Sequence, residues 1–227
     1  MMRVEAIAFD LDGTLVDTAG GIAHALNAAF AEAGLPGFDL GTVRGWIGDG
    51  PDALIAHGLA AGRHAPGGMA ELAARLRQQF DAATLRAPMR DSSVFAGIPL
   101  VLGRLAMRWP LAVVSNKPTA LARAVLEEAG LLTLFKSVHG ADFAPQRKPS
   151  PLLIRQAAAS LGVPAHALLM VGDAGTDIEA ALAAGSHAAW AGWGYGKADK
   201  QTPEEVWTLR TPHDLLARMA ASTGAAA

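Results

Sequence analysis

Asp10 and Asp12 stand at the end of an apolar run, residues 4–9, and directly before Gly13. Two carboxylates this close repel unless a cation or a proton intervenes, so the pair points to Mg²⁺ chemistry or to acid/base work. An Asp-Gly turn leaving a strand would use the same residues without chemistry. Ser115-Asn116-Lys117-Pro118 offers a hydroxyl and exposed backbone N–H groups ahead of a helix, a ready cradle for an anion, although Ser and Asn are also ordinary helix caps. Lys148, in Gln146-Arg147-Lys148-Pro149, is a compact charge suited to an oxyanion or to plain solvation. Gly172-Asp173 closes another apolar run, and Asp177 opens the next helix, where the helix dipole alone would favour it. Asp10, Asp12 and Asp173 together would make a hard oxygen site for a cation.

These residues need a scaffold that brings strand ends together. Short apolar runs alternate with helical periodicity, which predicts a parallel sheet with crossover helices on both faces. Strands are expected over residues 4–9, 111–114, 168–171 and 188–191, with a weaker one near 137–138. About a hundred residues separate the first strand from the second, far more than one crossover needs. An insertion explains the excess. Ile22, Leu26, Phe30 and Ala33 share one helical stripe, Leu54, Ile55 and Leu59 a second, and Met69, Leu72, Leu76 and Phe80 a third. No run between residues 19 and 86 reads as a strand. The expected division is an α/β core of residues 1–16 and 88–227, with an all-helical insert at 17–87 jointed near 17–21 and 86–91.

Composition narrows the function further. Hydrophobic residues make up 51% and charged ones 18%, which places the chain among folded globular proteins. A net charge of −2 with no basic run argues against a nucleic-acid partner. The absence of cysteine excludes disulfides and thiolate metal sites. Neither a signal peptide nor a membrane span is expected, so the cytoplasm is the default location. Five scattered tryptophans read as packing or pocket-wall residues, and oligomeric state is left open.

Four segments in order, Asp10-Leu-Asp-Gly-Thr14, Ser115, Lys148 and Gly172-Asp173 with Asp177, resemble the four motifs of the haloacid dehalogenase superfamily in its subclass with an inserted helical cap. The resemblance covers nearly the whole chain. It implies a Rossmann-like core, Mg²⁺ as cofactor and a small phosphate ester as substrate. Asp10 would be nucleophile and metal ligand, and Asp12 general acid/base with a carbonyl on the metal. Asp173 would be the third ligand and Asp177 an orienting residue. Ser115, the Asn116 N–H and Lys148 would hold the phosphoryl group. Thr14 would steady Asp12. The presence of Asp12 argues against dehalogenation, and every lysine lies outside the insert, which argues against Schiff-base hydrolases of the same superfamily.

The closest resemblance is to bacterial phosphoglycolate phosphatases, through Val43-Arg-Gly-Trp-Ile-Gly-Asp-Gly50, Ser115-Asn-Lys-Pro118 and Gly192-Trp-Gly-Tyr-Gly196. It implies substrate selection by Arg44, Gly48, Asp49 and Gly50 of the cap loop. Asp49 would repel a substrate carboxylate if it faced the pocket, whereas Arg44 or the loop N–H groups would receive it. A sugar-phosphate or pyrophosphate phosphatase and a phosphomutase share the same core residues. A receiver-like phosphorylation switch also gathers aspartates, a lysine and Mg²⁺, but places its acceptor aspartate after a middle strand and has no helical insert.

Overall fold

A computed structural model describes residues 3–62, 68–196 and 203–224. Six strands form one parallel sheet: β1 (Ala6–Phe9), β4 (Leu111–Ser115), β5 (Ser137–Gly140), β6 (Leu168–Gly172), β7 (His187–Ala191) and β8 (Trp207–Leu209). Their spatial order is β5-β4-β1-β6-β7-β8, so the chain winds outward in both directions from β1. Strand alternation builds two cores, one on each face. Ile7, Phe9, Leu111, Val113, Leu169 and Val171 pack with α5 (Ile98–Ala106), α6 (Thr119–Glu128) and α9 (Pro212–Gly224). Ala6, Ala8, Ala112, Val114, Leu168 and Met170 face α7 (Leu152–Leu161) and α8 (Gly175–Ala184). This is the Rossmann-like α/β architecture expected from the sequence.

The expected strands are present with slightly shifted ends, and three others escaped the sequence reading. β8 is a three-residue edge strand, too short to show alternation. β2 (Val16–Asp17) and β3 (Ser93–Val94) form a separate antiparallel pair that ties together the two crossings between core and insert. Between them lie α1 (Ala19–Glu32), α2 (Leu40–Arg44), α3 (Pro51–Ala61) and α4 (Met69–Arg86). α1, α3 and α4 carry the three apolar stripes, and α2 is a five-residue addition capped by Asp39, whose side chain accepts from Thr42 N at 2.9 Å. Their apolar faces close on a third core around Leu26, Phe30, Leu54, Ile55, Leu76 and Phe80. Leu121 of α6 joins that cluster, so the helical unit rests on the core at the carboxyl end of β4. Among the described residues no helix is long and apolar enough to cross a membrane.

Candidate active site

β4, β1 and β6 are adjacent and in register, with Phe9 opposite Val113 on one side and Val171 on the other. Their carboxyl ends therefore deliver Asp10, Ser115 and Asp173 to one edge of the sheet, the usual place for a ligand crevice in an open α/β fold. Lys148 enters from the loop between β5 and α7, and Asp177 from the first turn of α8. The Lys148 ammonium donates to Asp10 Oδ1 at 2.8 Å, Asp177 Oδ1 at 2.5 Å and the Val114 carbonyl at 3.0 Å. Asp177 is fully buried, and its Oδ2 also accepts from Ala174 N at 2.9 Å.

One carboxylate oxygen each from Asp10, Asp173 and Asp177 lie within 4.8 Å of one another. Burial pushes Asp10 up to about 6, since the single Lys148 charge is shared with Asp177 and does not offset desolvation. Burial, then the charge of Asp10, likewise raises Asp173 to about 6. Asp177 is shifted upward, chiefly by burial. Burial alone would lower Lys148, but the two carboxylates on it raise it instead. Three buried carboxylates against one ammonium leave two negative charges uncompensated. Convergent oxygen donors with that deficit suit a hard divalent cation.

Asp12 lies one turn of the loop away, in a different setting. Lys117 Nζ donates to both of its oxygens at 2.9 Å, and Thr18 Oγ1 donates to Oδ1 at 2.6 Å. The expectation that Thr14 steadies Asp12 is therefore corrected. Thr14 Oγ1 donates to Asp173 Oδ1 at 2.9 Å, because the tight turn at Gly13 carries the Thr14 side chain toward β6. Gly13 has φ +89°, and a Cβ there would stand 2.5 Å from Asp173 Oδ2. On the other side, Tyr195 N and Gly196 N donate to Asp173 Oδ2 at 2.7 and 3.3 Å. The glycine-rich run beside Tyr195 lies against this carboxylate: a Cβ at Gly194 would come within 2.5 Å of Asp173 Cγ.

Above this polar floor is a cavity of about 250 Å³. Asp10, Asp12, Ser115, Lys117, Lys148 and Asp173 line its base, and Ile22, Trp46, Ile47, Leu54 and Phe80 of the helical unit form its roof. Arg44, Gly48 and Gly50 also line it, whereas Asp49 is exposed and stands outside the lining. Arg44 is itself exposed, its guanidinium carbon 4.7 Å from the Tyr195 ring centroid. The Asn116 side chain donates to the Gly48 carbonyl at 2.8 Å and the Lys148 carbonyl at 3.2 Å, and accepts from Lys148 N at 2.7 Å. It thus ties the Gly48 loop of the helical unit to the Lys148 loop. Ser115 is buried, with Oγ accepting from Lys117 N at 3.2 Å.

Sequence reasoning assigned no role to Lys117, Thr18 or Tyr195. Lys117 and Thr18 are six or fewer positions from motif residues, but nothing in their types distinguishes them from surface neighbours. Tyr195, the one tyrosine of the chain, carried a signal in its flanking glycines. Its hydroxyl donates to Asp17 Oδ1 at 2.7 Å and accepts from Thr18 N at 2.6 Å and Ala19 N at 3.0 Å. It caps the start of α1 at the joint of the insert.

A protein-family comparison matches residues 4–185 to haloacid dehalogenase-like hydrolases. A phosphoglycolate phosphatase of Rhodospirillum rubrum is 40% identical over 197 residues, which cover 85% of this chain and 81% of that one. One from Yersinia pseudotuberculosis is 36% identical over 194 residues, covering 85% and 82%. Among solved structures, a predicted phosphoglycolate phosphatase from Haemophilus somnus superposes with a TM-score of 0.86 at 27% identity, over 96% of this chain and 99% of that one. With four fifths of its length matched by the family and most of each relative aligned, the chain belongs to the haloacid dehalogenase-like hydrolases.

Proposed function

We propose that this hydrolase is a Mg²⁺-dependent phosphatase that cleaves a small phosphomonoester through an aspartyl-phosphate on Asp10, with phosphoglycolate as its substrate. The observation that carries the chemistry is the placement of Asp10 at the floor of the cavity, in contact with Lys148 and beside Asp173 and Asp177. The substrate rests on the names of the relatives, which match over most of their length. Residues 17–87 act as a cap domain over residues 1–16 and 88–227.

The Asp10 carboxylate attacks phosphorus as the ester P–O bond breaks, and Asp12, entering this step with a proton on Oδ2, the oxygen that Thr18 does not engage, gives that proton to the departing oxygen. Water then attacks the aspartyl-phosphate, Asp12 takes a proton from it, and free phosphate leaves with Asp10 restored. Lys148, Ser115 and the Asn116 N–H hold the phosphoryl oxygens as charge redistributes. Asp10, Asp173 and the Asp12 carbonyl would hold Mg²⁺, with Asp177 orienting the set; when bound, the ion offsets repulsion between carboxylate and phosphate. The apolar roof excludes bulk water from the acyl phosphate.

Asp10→Asn tests the reading. Its turnover is expected to fall at least about 1,000-fold, with the far-UV circular dichroism of the parent. Near-parental phosphate release by that variant would overturn the nucleophile. Initial rates on a panel of phosphomonoesters with Mg²⁺ test the substrate: phosphoglycolate is expected to lead in kcat/KM, and a lead for sugar phosphates would remove it while leaving the phosphatase. Conversion of a sugar phosphate to its positional isomer would identify a mutase instead.

A further inference from the structure

We infer that Lys117, on the core, rather than Arg44, on the cap, reads the carboxylate of a substrate that carries one a single carbon from its ester oxygen. The inference rests on the phosphatase reading above and adds to it the group that selects the substrate. Three cationic side chains line the cavity among the described residues: Arg44, Lys117 and Lys148. Lys148 has three N–H donors and three protein acceptors, Asp10, Asp177 and the Val114 carbonyl, and its place is beside the attacking carboxylate. Lys117 is also buried, at 6% exposure, but the only hydrogen-bond acceptor of its ammonium among the described residues is the Asp12 carboxylate. Asp12 engages at most two of the ammonium's three N–H groups. The third is left for a ligand.

Reach then separates Lys117 from Arg44. The group that protonates the leaving oxygen must come within about 3 Å of it. In a glycolate ester only one methylene lies between that oxygen and the carboxylate carbon, so the carboxylate cannot leave the neighbourhood of Asp12. Lys117 Nζ is 2.9 Å from both Asp12 oxygens, so the ammonium is already where such a carboxylate must lie. Arg44 sits at the exposed rim, over the Tyr195 ring. A longer leaving group would carry its distal groups past Lys117 to Trp46, Leu54 and Phe80. A lysine also suits the space, since its compact point charge can bridge two carboxylates that approach from different sides. The loop that bears it is held by the Asn116 contacts to Gly48 and Lys148, so the position of the ammonium is fixed before substrate arrives.

The test compares kcat/KM for phosphoglycolate and for ethyl phosphate, which has the same length and no carboxylate, in the parent, Lys117→Met and Arg44→Met with Mg²⁺. Lys117 also holds Asp12, so its loss lowers turnover of both esters, and the ratio of the two constants removes that shared effect. The parent is expected to favour phosphoglycolate by about 10- to 100-fold, the scale of one charge-assisted hydrogen bond. Lys117→Met should bring the ratio to within about threefold of unity, chiefly through KM for phosphoglycolate. Arg44→Met should keep the parental ratio, and Lys117→Arg, which retains the charge, should keep most of it. A ratio that survives Lys117→Met, or collapses in Arg44→Met, overturns the assignment and leaves phosphoglycolate standing. A parent without preference overturns both the substrate and the role of Lys117. Lys117→Gln replaces the methionine variant if that one does not fold.

Discussion

Each aspartate of this site is defined by its donors, and those donors separate residues that look alike in sequence. Asp173 is held from two sides, by the Thr14 hydroxyl and by the backbone of Tyr195 and Gly196. Thr14→Val keeps the shape of a fully buried side chain and removes one of these hydrogen bonds. Orienting partners of metal ligands are worth about tenfold or more in affinity. The Mg²⁺ concentration for half-maximal activity is therefore expected to rise about tenfold in Thr14→Val, and an unchanged value would show that Thr14 contributes only packing. The aspartates, Ser115 and Lys148 were legible because they follow one another in a fixed order, with Asp10, Ser115 and Asp173 each closing an apolar run. The exchange of Thr14 and Thr18 between Asp173 and Asp12 was not, because it depends on how the Gly13 turn directs a side chain, which no spacing encodes.

At the scale of elements, the sheet strands and the three longer helices of the helical unit were readable from periodicity, since each buries one continuous face. β2, β3 and β8 were not: two or three residues carry no period, and their pairing depends on partners distant in the chain. Contacts between the helical unit and the core are equally invisible in sequence. Asp52 of α3 pairs with Arg77 of α4 and with Arg147, the residue before Lys148. Burial works to raise Asp52, but hydrogen bonds from the two guanidinium groups outweigh it and hold the carboxyl below its usual range. With a lowered folded pKa, its contribution is complete above the unfolded value of 3.8 and is lost only as pH falls through the still lower folded value. The bridge is therefore intact throughout the neutral range. Asp52→Asn should loosen the hold of the helical unit on the Lys148 loop. The pair is half-exposed, so the effect is modest: KM for the phosphomonoester should rise about two- to fivefold with kcat nearly constant. A fall in kcat with constant KM would place Asp52 in the chemistry instead of in the hold on the Lys148 loop.

For the molecule as a whole, the parallel sheet solves one problem and creates another. Winding outward from β1 brings three strand ends together, and with them acidic groups that the fold buries at a cost. At pH 7 the unfolded chain ionises these carboxylates freely, while the folded, metal-free chain must bury them against one ammonium. Asp10 and Asp173 titrate near 6 when folded and near 3.8 when unfolded. Between about pH 4 and 6 the folded state thus binds protons that the unfolded state has released, and this stabilisation is lost as pH rises through 6. On the proposed Mg²⁺ reading, the ion and protons compete for the same oxygens. The rise in Tm on adding saturating Mg²⁺ to chelator-treated protein should accordingly be larger at pH 7 than at pH 5. At a hundredfold excess over Kd, the linkage is worth about 2.7 kcal/mol, or about 5–10 °C for a chain of this size. His139 and His187, which burial holds below their usual range, weaken the fold as pH falls below 6.5. They do so with or without metal, so they cancel in the difference. Differential scanning calorimetry of the parent and of Asp173→Asn at both pH values measures it: the variant should lose most of the Mg²⁺ shift at pH 7. A parental shift that is equal at the two pH values would place metal binding away from these carboxylates.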